Sequence, residues 1–208
     1  DLRGDPLMGG LSEILWQEQS SLPLLIWLQL IPLIGAAVVF AFKERSTAVI
    51  AGKVFALAEL LLGVIVTSRI NPTLPTLQMA ERLDLIAYHV AVDGLSLIFI
   101  LLTALLTFLM TLYGMSRGMI SPGRLFAVLL VAEAGLVGML MTVNLVWFCV
   151  FSALELWAVF HLLRRWASSR AEIQALARFI QYQAFGWALF AGGCVVLGWA
   201  YADAHAGY

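Results

Sequence analysis

Charge is scarce in this chain, and that scarcity is the first constraint. Only 12% of the 208 residues are Asp, Glu, Lys or Arg, about half the share found in soluble domains, while 62% are hydrophobic. An ordinary water-soluble fold is thereby excluded. Cysteine occurs twice, as Cys149 and Cys194, both inside apolar runs, so each reads as a small packing residue and no disulfide framework or metal set is in view. The sequence has no glycine-rich phosphate loop, no closely spaced Cys/His group, no haem-attachment motif and no basic pattern suited to nucleic acid. Low-complexity tracts and internal repeats are also lacking, which leaves a single membrane domain as the simplest division.

What is present is a series of continuous apolar runs, each near the roughly 20 residues needed to cross a hydrocarbon core about 30 Å thick. Continuous runs mean helices; a membrane barrel would alternate every second residue over about 10. The runs are 22–42, with Pro23 in its first turn and Pro32 inside, then 47–67, 93–113, 125–143, a fifth following Asn144, and 174–201 with Trp187 and Trp199 toward its ends. The fold class is therefore an all-α integral membrane protein with about six transmembrane helices. The domain division is a polar N-terminal segment 1–21 carrying Trp16 as an interfacial anchor, a six-helix membrane domain 22–201 and a short tail 202–208. Met8 offers a start, which would make residues 1–7 a remnant. Residues 69–88 form a polar connection containing NPTLPT.

Basic residues orient the chain. With the N-terminus outside, the inner loops hold Lys43, Arg45, Arg117, Arg124, Arg164, Arg165, Arg170 and Arg178, and the outer side only Arg3, Arg69 and Arg82. The expected location is the cytoplasmic (inner) membrane, multi-pass, with both ends outside and lipid as the surrounding partner.

Against this background the few intramembrane ionisable groups stand out. A charged side chain at the bilayer centre costs roughly 2.5 to 3.5 kcal/mol on insertion scales. Glu59, Glu133 and Glu155 lie near the middle of three different runs, and each is either neutralised by a proton or part of a proton relay. Lys53 is placed to snorkel toward the inner surface, and His161 lies near the inner end of the fifth run. Asp93 suits a helix cap, and Gly94 lets the chain turn into the third span. The proton-relay candidates are thus Glu133, Glu59, Lys53, Glu155 and His161. No catalytic residue, cofactor site or metal site is expected in this chain.

The segments YHVAVDGLSLIFILLTALLTFLMTLYG, LLVAEAGLVGMLMTVNLVWFCVF and LPLLIWLQLIPLIGAAV resemble the N-terminal part of antiporter-like subunit M (chain 4) of proton-pumping NADH:quinone oxidoreductase, complex I. The resemblance extends from about Leu22 to about Tyr201. Related subunits occur in cation/proton antiporters, membrane-bound hydrogenases and inorganic-carbon uptake complexes. In that family the fifth span carries a Trp-Glu pair. Counting from Asn144 and back from Trp166 places Ser152 and Ala153 there, with Glu155 two positions on, about 200° around a helix, and Ala158 in place of a proline. The family's broken seventh and twelfth helices, which carry its ion path, lie beyond the aligned segment, so the chain reads as a piece of a longer subunit or a short relative.

The resemblance implies a membrane-arm subunit of a complex I-like assembly, structural or accessory, which does not pump protons alone. At most it is a non-catalytic subunit of a translocase, with quinone, flavin or Fe-S centres confined to partner subunits. The alternatives are a short subunit of an inorganic-carbon uptake or cation/proton antiport complex, or a helical adaptor docking by Gly186, Gly192, Gly193 and Gly198. In each reading the partners are other membrane subunits, with no nucleic acid.

Overall fold

The computed structural model describes residues 23–42, 45–71, 77–116 and 122–205. The N-terminal segment with Trp16, the turn at Lys43 and Glu44, most of NPTLPT, the loop at Arg117 and the last tail residues lie outside them. Among the described residues six helices long and apolar enough to cross a membrane follow one another: α1 (Leu24–Ala41), α2 (Arg45–Arg69), α3 (Gly94–Ser116), α4 (Pro122–Met141), α5 (Leu145–Trp166) and α6 (Arg170–His205). The all-α membrane reading holds. The one addition is a two-stranded hairpin, β1 (Gln78–Leu83) and β2 (Tyr88–Val92), set into the stretch expected to be an irregular connection.

Local chemistry accounts for the helix ends. Asn144 caps α5 by accepting the Val146 amide hydrogen bond at 2.9 Å. Helix α6 starts earlier than its apolar run because Ser169 and Glu172 form a reciprocal capping box. The Glu172 amide donates to Ser169 Oγ at 3.2 Å, and the Ser169 amide to Glu172 Oε2 at 3.1 Å. Asp93 closes α3 by accepting the Ser96 amide at 2.7 Å, and its hydrogen bonds with the Ser96 side chain and backbone hold its carboxyl below the usual range. Gly94 is the first residue of α3 and meets open space.

Helix α1 has no cap of its own, since Pro23 stands at its N-cap without a side-chain bond. Its free amides are satisfied by the hairpin. Leu25 N and Ile26 N donate to the two carboxylate oxygens of buried Glu81, at 3.0 and 2.9 Å. The hairpin pairs Glu81 with Val90 and Leu83 with Tyr88, and its irregular turns place Met79 and Ala87 at positive φ. Beyond α1 it grips the α4–α5 junction: Val143 N donates to the His89 carbonyl, Asn144 Nδ2 to that of Ala87 and Trp147 Nε1 to that of Ile86. Tyr88 is buried edge-on against Trp147 and beside Phe151, and burial pushes its phenol above the usual range.

Helices α1 to α4 pack into the core, with α4 touching α1, α2, α3 and α5, while α6 rests mainly on α5. The apolar interior is split in two along the helix axes. One cluster, nearest the hairpin, holds Leu25, Leu28, Val66, Leu97, Ile100, Val137 and Met141. The other, toward the opposite membrane face, holds Ala36, Val39, Ala56, Phe126 and Leu130. On each of the four helices, the residues between these clusters include a buried polar side chain.

Candidate functional site

Those seam residues are Gln29 on α1, Glu59 on α2, Thr107 on α3 and Glu133 on α4. Helices α2 and α4 run in the same direction, and their register is fixed where Gly52 lets the Phe126 ring approach; a Cβ at Gly52 would stand 3.0 Å from it. Seven residues further along each helix, about two turns, come Glu59 and Glu133. The spacing returns both to the same face at the same level, and their carboxylates interact electrostatically. Glu59 is 0% exposed and Glu133 1%, and none of their four oxygens has a hydrogen-bond partner. Thr107, also buried, faces Glu133 from α3. Gln29 donates from Nε2 to the Ala134 carbonyl at 2.9 Å, beside Glu133, and its Oε1 is likewise buried and unbonded.

Of the expected relay residues, the structure brings Glu59 and Glu133 together and keeps the others apart. Lys53 is half-buried on α2, and among the described residues no ion pair joins it to either acid. His161 is exposed near the end of α5, its Nδ1 3.1 Å from the Trp157 carbonyl and its ring 4.2 Å from the Trp157 ring centre.

Glu155 occupies a second location. It is half-buried and lies over Gly135, where a Cβ on the glycine would come within 3.2 Å of Glu155 N and Oε2. The carboxylate lines a cavity of about 380 Å³ between α5 and α6, with Met139 of α4, Ser152, Gln183, Gly186 and Trp187 among its walls. Its Oε2 has no hydrogen-bond partner. Helix α5 is regular through 145–166, so Ala153 and Glu155 stand about 200° apart on it. Ser152 accepts from Trp187 Nε1 at 3.0 Å, so Trp187 is tied to α5 midway along α6 and does not mark a helix end at the interface. The two thiols also meet: Cys149 on α5 contacts Cys194 on α6, a pairing that their separate positions in apolar runs did not reveal. Among the described residues no three His, Cys, Asp or Glu side chains gather to hold a metal ion.

The comparisons agree with the motifs: the chain is similar to antiporter-like membrane subunits of complex I. It is 29% identical over 153 residues to F(420)H(2) dehydrogenase subunit M of Methanosarcina mazei, which covers 71% of this chain and 31% of the relative. It is also 29% identical over 173 residues to NAD(P)H-quinone oxidoreductase chain 4 of Gloeobacter violaceus, covering 81% of this chain and 32% of the relative. The chain thus spans about a third of the length of the curated relatives it matches. No protein-family model matches it.

Proposed function

We propose that this chain is a membrane-arm, antiporter-like subunit of a complex I-like assembly, contributing helices and a proton-handling acid pair without pumping protons alone. The observation that carries the reading is the similarity to two respiratory dehydrogenase subunits across most of the chain. Two features of the chain support it. Helix α6 packs mainly on α5 and has no buried residue among those described, so its outward side is free for lipid or neighbouring subunits. Helix α5 carries Ala153 where the family places its acid, which supports an accessory role. The redox chemistry, with its quinone, flavin and Fe-S groups, then belongs to partner subunits. The bias of Lys and Arg supports a location in the cytoplasmic membrane with the N-terminus and hairpin outside.

Purification in mild detergent, with identification of the chains that come with it, tests the proposal. Co-purification with membrane subunits of a quinone-reducing complex is expected, and recovery as a free monomer refutes it. Within that complex, Glu133→Gln should impair assembly and proton coupling more than Glu155→Gln, because Glu133 is enclosed by four helices and Glu155 borders an open cavity. Equal or reversed effects would overturn that ranking.

A further inference from the structure

We propose that Gln29, Glu59, Thr107 and Glu133 form one site for a single small monovalent cation, a proton or a sodium ion, held between the two carboxylates. The inference rests on the reading of Glu59 and Glu133 as working groups and deepens it.

The seam between the two apolar clusters is where the argument starts. All four core helices place a polar side chain there, each 4% exposed or less, in a bundle whose interior is otherwise almost wholly apolar. The inventory of groups is lopsided. Five buried oxygens, Gln29 Oε1 and both oxygens of Glu59 and Glu133, have no hydrogen-bond donor. Carboxylates accept only, Gln29 has already committed an amide hydrogen to Ala134, and the Thr107 hydroxyl is the donor that faces Glu133. Buried acceptors without donors each cost about 1–3 kcal/mol, so the surplus of four that is left when Thr107 serves one calls for something positive or donating among them.

Electrostatics leads to the same place. Two carboxylates at one level of parallel helices repel strongly in a medium of low dielectric constant, and no Lys or Arg among the described residues pairs with them. One positive charge placed between them lowers that repulsion and gives the free oxygens a partner. The donor set is all oxygen and neither sulfur nor imidazole joins it, which suits a proton or a hard alkali cation and not a transition metal. Gln29 is the site's independent marker. It is not acidic, is 3% exposed, sits on a different helix from either acid, and leaves its carbonyl oxygen unbonded one residue from Glu133.

The test uses the full 208-residue chain in lipid nanodiscs, with thermal unfolding in sodium chloride against choline chloride and infrared spectra of the carboxyl C=O region. If sodium is the ligand, sodium raises the melting temperature and choline does not, and both Glu59→Gln and Glu133→Gln abolish the difference. If a proton is the ligand, sodium has no effect, one protonated-carboxyl band is present when the spectra are taken in a Glu155→Gln background, and either substitution removes or displaces the whole of it. Thr107→Val and Gln29→Leu, which keep the acids, should weaken the sodium effect several-fold or shift the band, and they serve if either glutamine variant fails to fold. Two bands that disappear one at a time, each with its own residue, overturn the proposal, as does the absence of both a band and a sodium effect. Recovery of the chain without partner subunits would sink the assembly reading and leave this outcome untouched.

Discussion

Helices α1 to α4 and the pair α5–α6 are built from similarly apolar sequence and pack very differently. Burial is deepest along α1 and α4, intermediate along α2 and α3, slight along α5 and absent along α6. In the first region, glycines admit aromatic rings, the hairpin braces one end, and charged groups are enclosed. In the second, a tryptophan–serine bond, a pair of thiols and one ring contact join an outward-facing α6 to α5, whose other face packs on α4. Hydropathy alone cannot distinguish these cases, because lipid tails and a protein interior reward the same side chains. What separates them is close packing and polar accounting.

Several substitutions should break or sharpen the contrast. The largest effect is expected from Gly138→Leu, since even a Cβ there would lie 2.5 Å from the Phe151 ring. The α4–α5 contact must open, at a cost of about 1–3 kcal/mol or more, visible as a lower melting temperature in detergent. Gly186→Leu on α6, where nothing lies within 4 Å, should leave that temperature nearly unchanged. If the two variants behave alike, the division between regions is wrong.

Next comes Glu81→Ala, which strips two hydrogen bonds from the start of α1. A loss of about 1.5–3 kcal/mol is expected, together with faster hydrogen exchange at Leu25 and Ile26. Asp93→Ala should cost about 1 kcal/mol, as typical cap losses do. The native carboxyl titrates below its unfolded counterpart, so its contribution is fully present above about pH 4 and fades as pH falls through the folded value. The variant should therefore show a flatter acid limb, and an unchanged limb would remove the cap from the account. The smallest effect belongs to Tyr182→Ser on the exposed face of α6, within about 0.5 kcal/mol in the isolated chain. Its consequence should appear instead as weaker co-purification of partner subunits.

The six spans were legible because their runs are long and continuous, and most boundaries agree within a few residues. The start of α6 was missed by four, since Ser169 and Glu172 extend the helix into polar sequence that hydropathy discounts. The hairpin was not legible. QMAERL and YHVAV lack clean alternation, and the turns at Met79 and Ala87 use positive φ without glycine, so neither strand nor turn announced itself. Glu59 and Glu133 were each visible as misplaced charges. Their pairing was not, because it depends on a docking register set by Gly52 and Phe126, information that resides in two helices at once. The signal was nonetheless present in the equal spacing of the two pairs. The same limit hid the meeting of Cys149 with Cys194.

The grip of Glu81 on α1 also bears on how such a protein is made. Helix α1 begins with amides that are satisfied by a carboxylate 56 and 55 positions later in the chain, after a second helix has crossed back. During synthesis, α1 must therefore wait half-finished at the surface until the return crossing delivers its cap. An α1 inserted backwards would present its start on the side away from Glu81 and leave those amides uncapped, so this one side chain favours one orientation of α1 over the other.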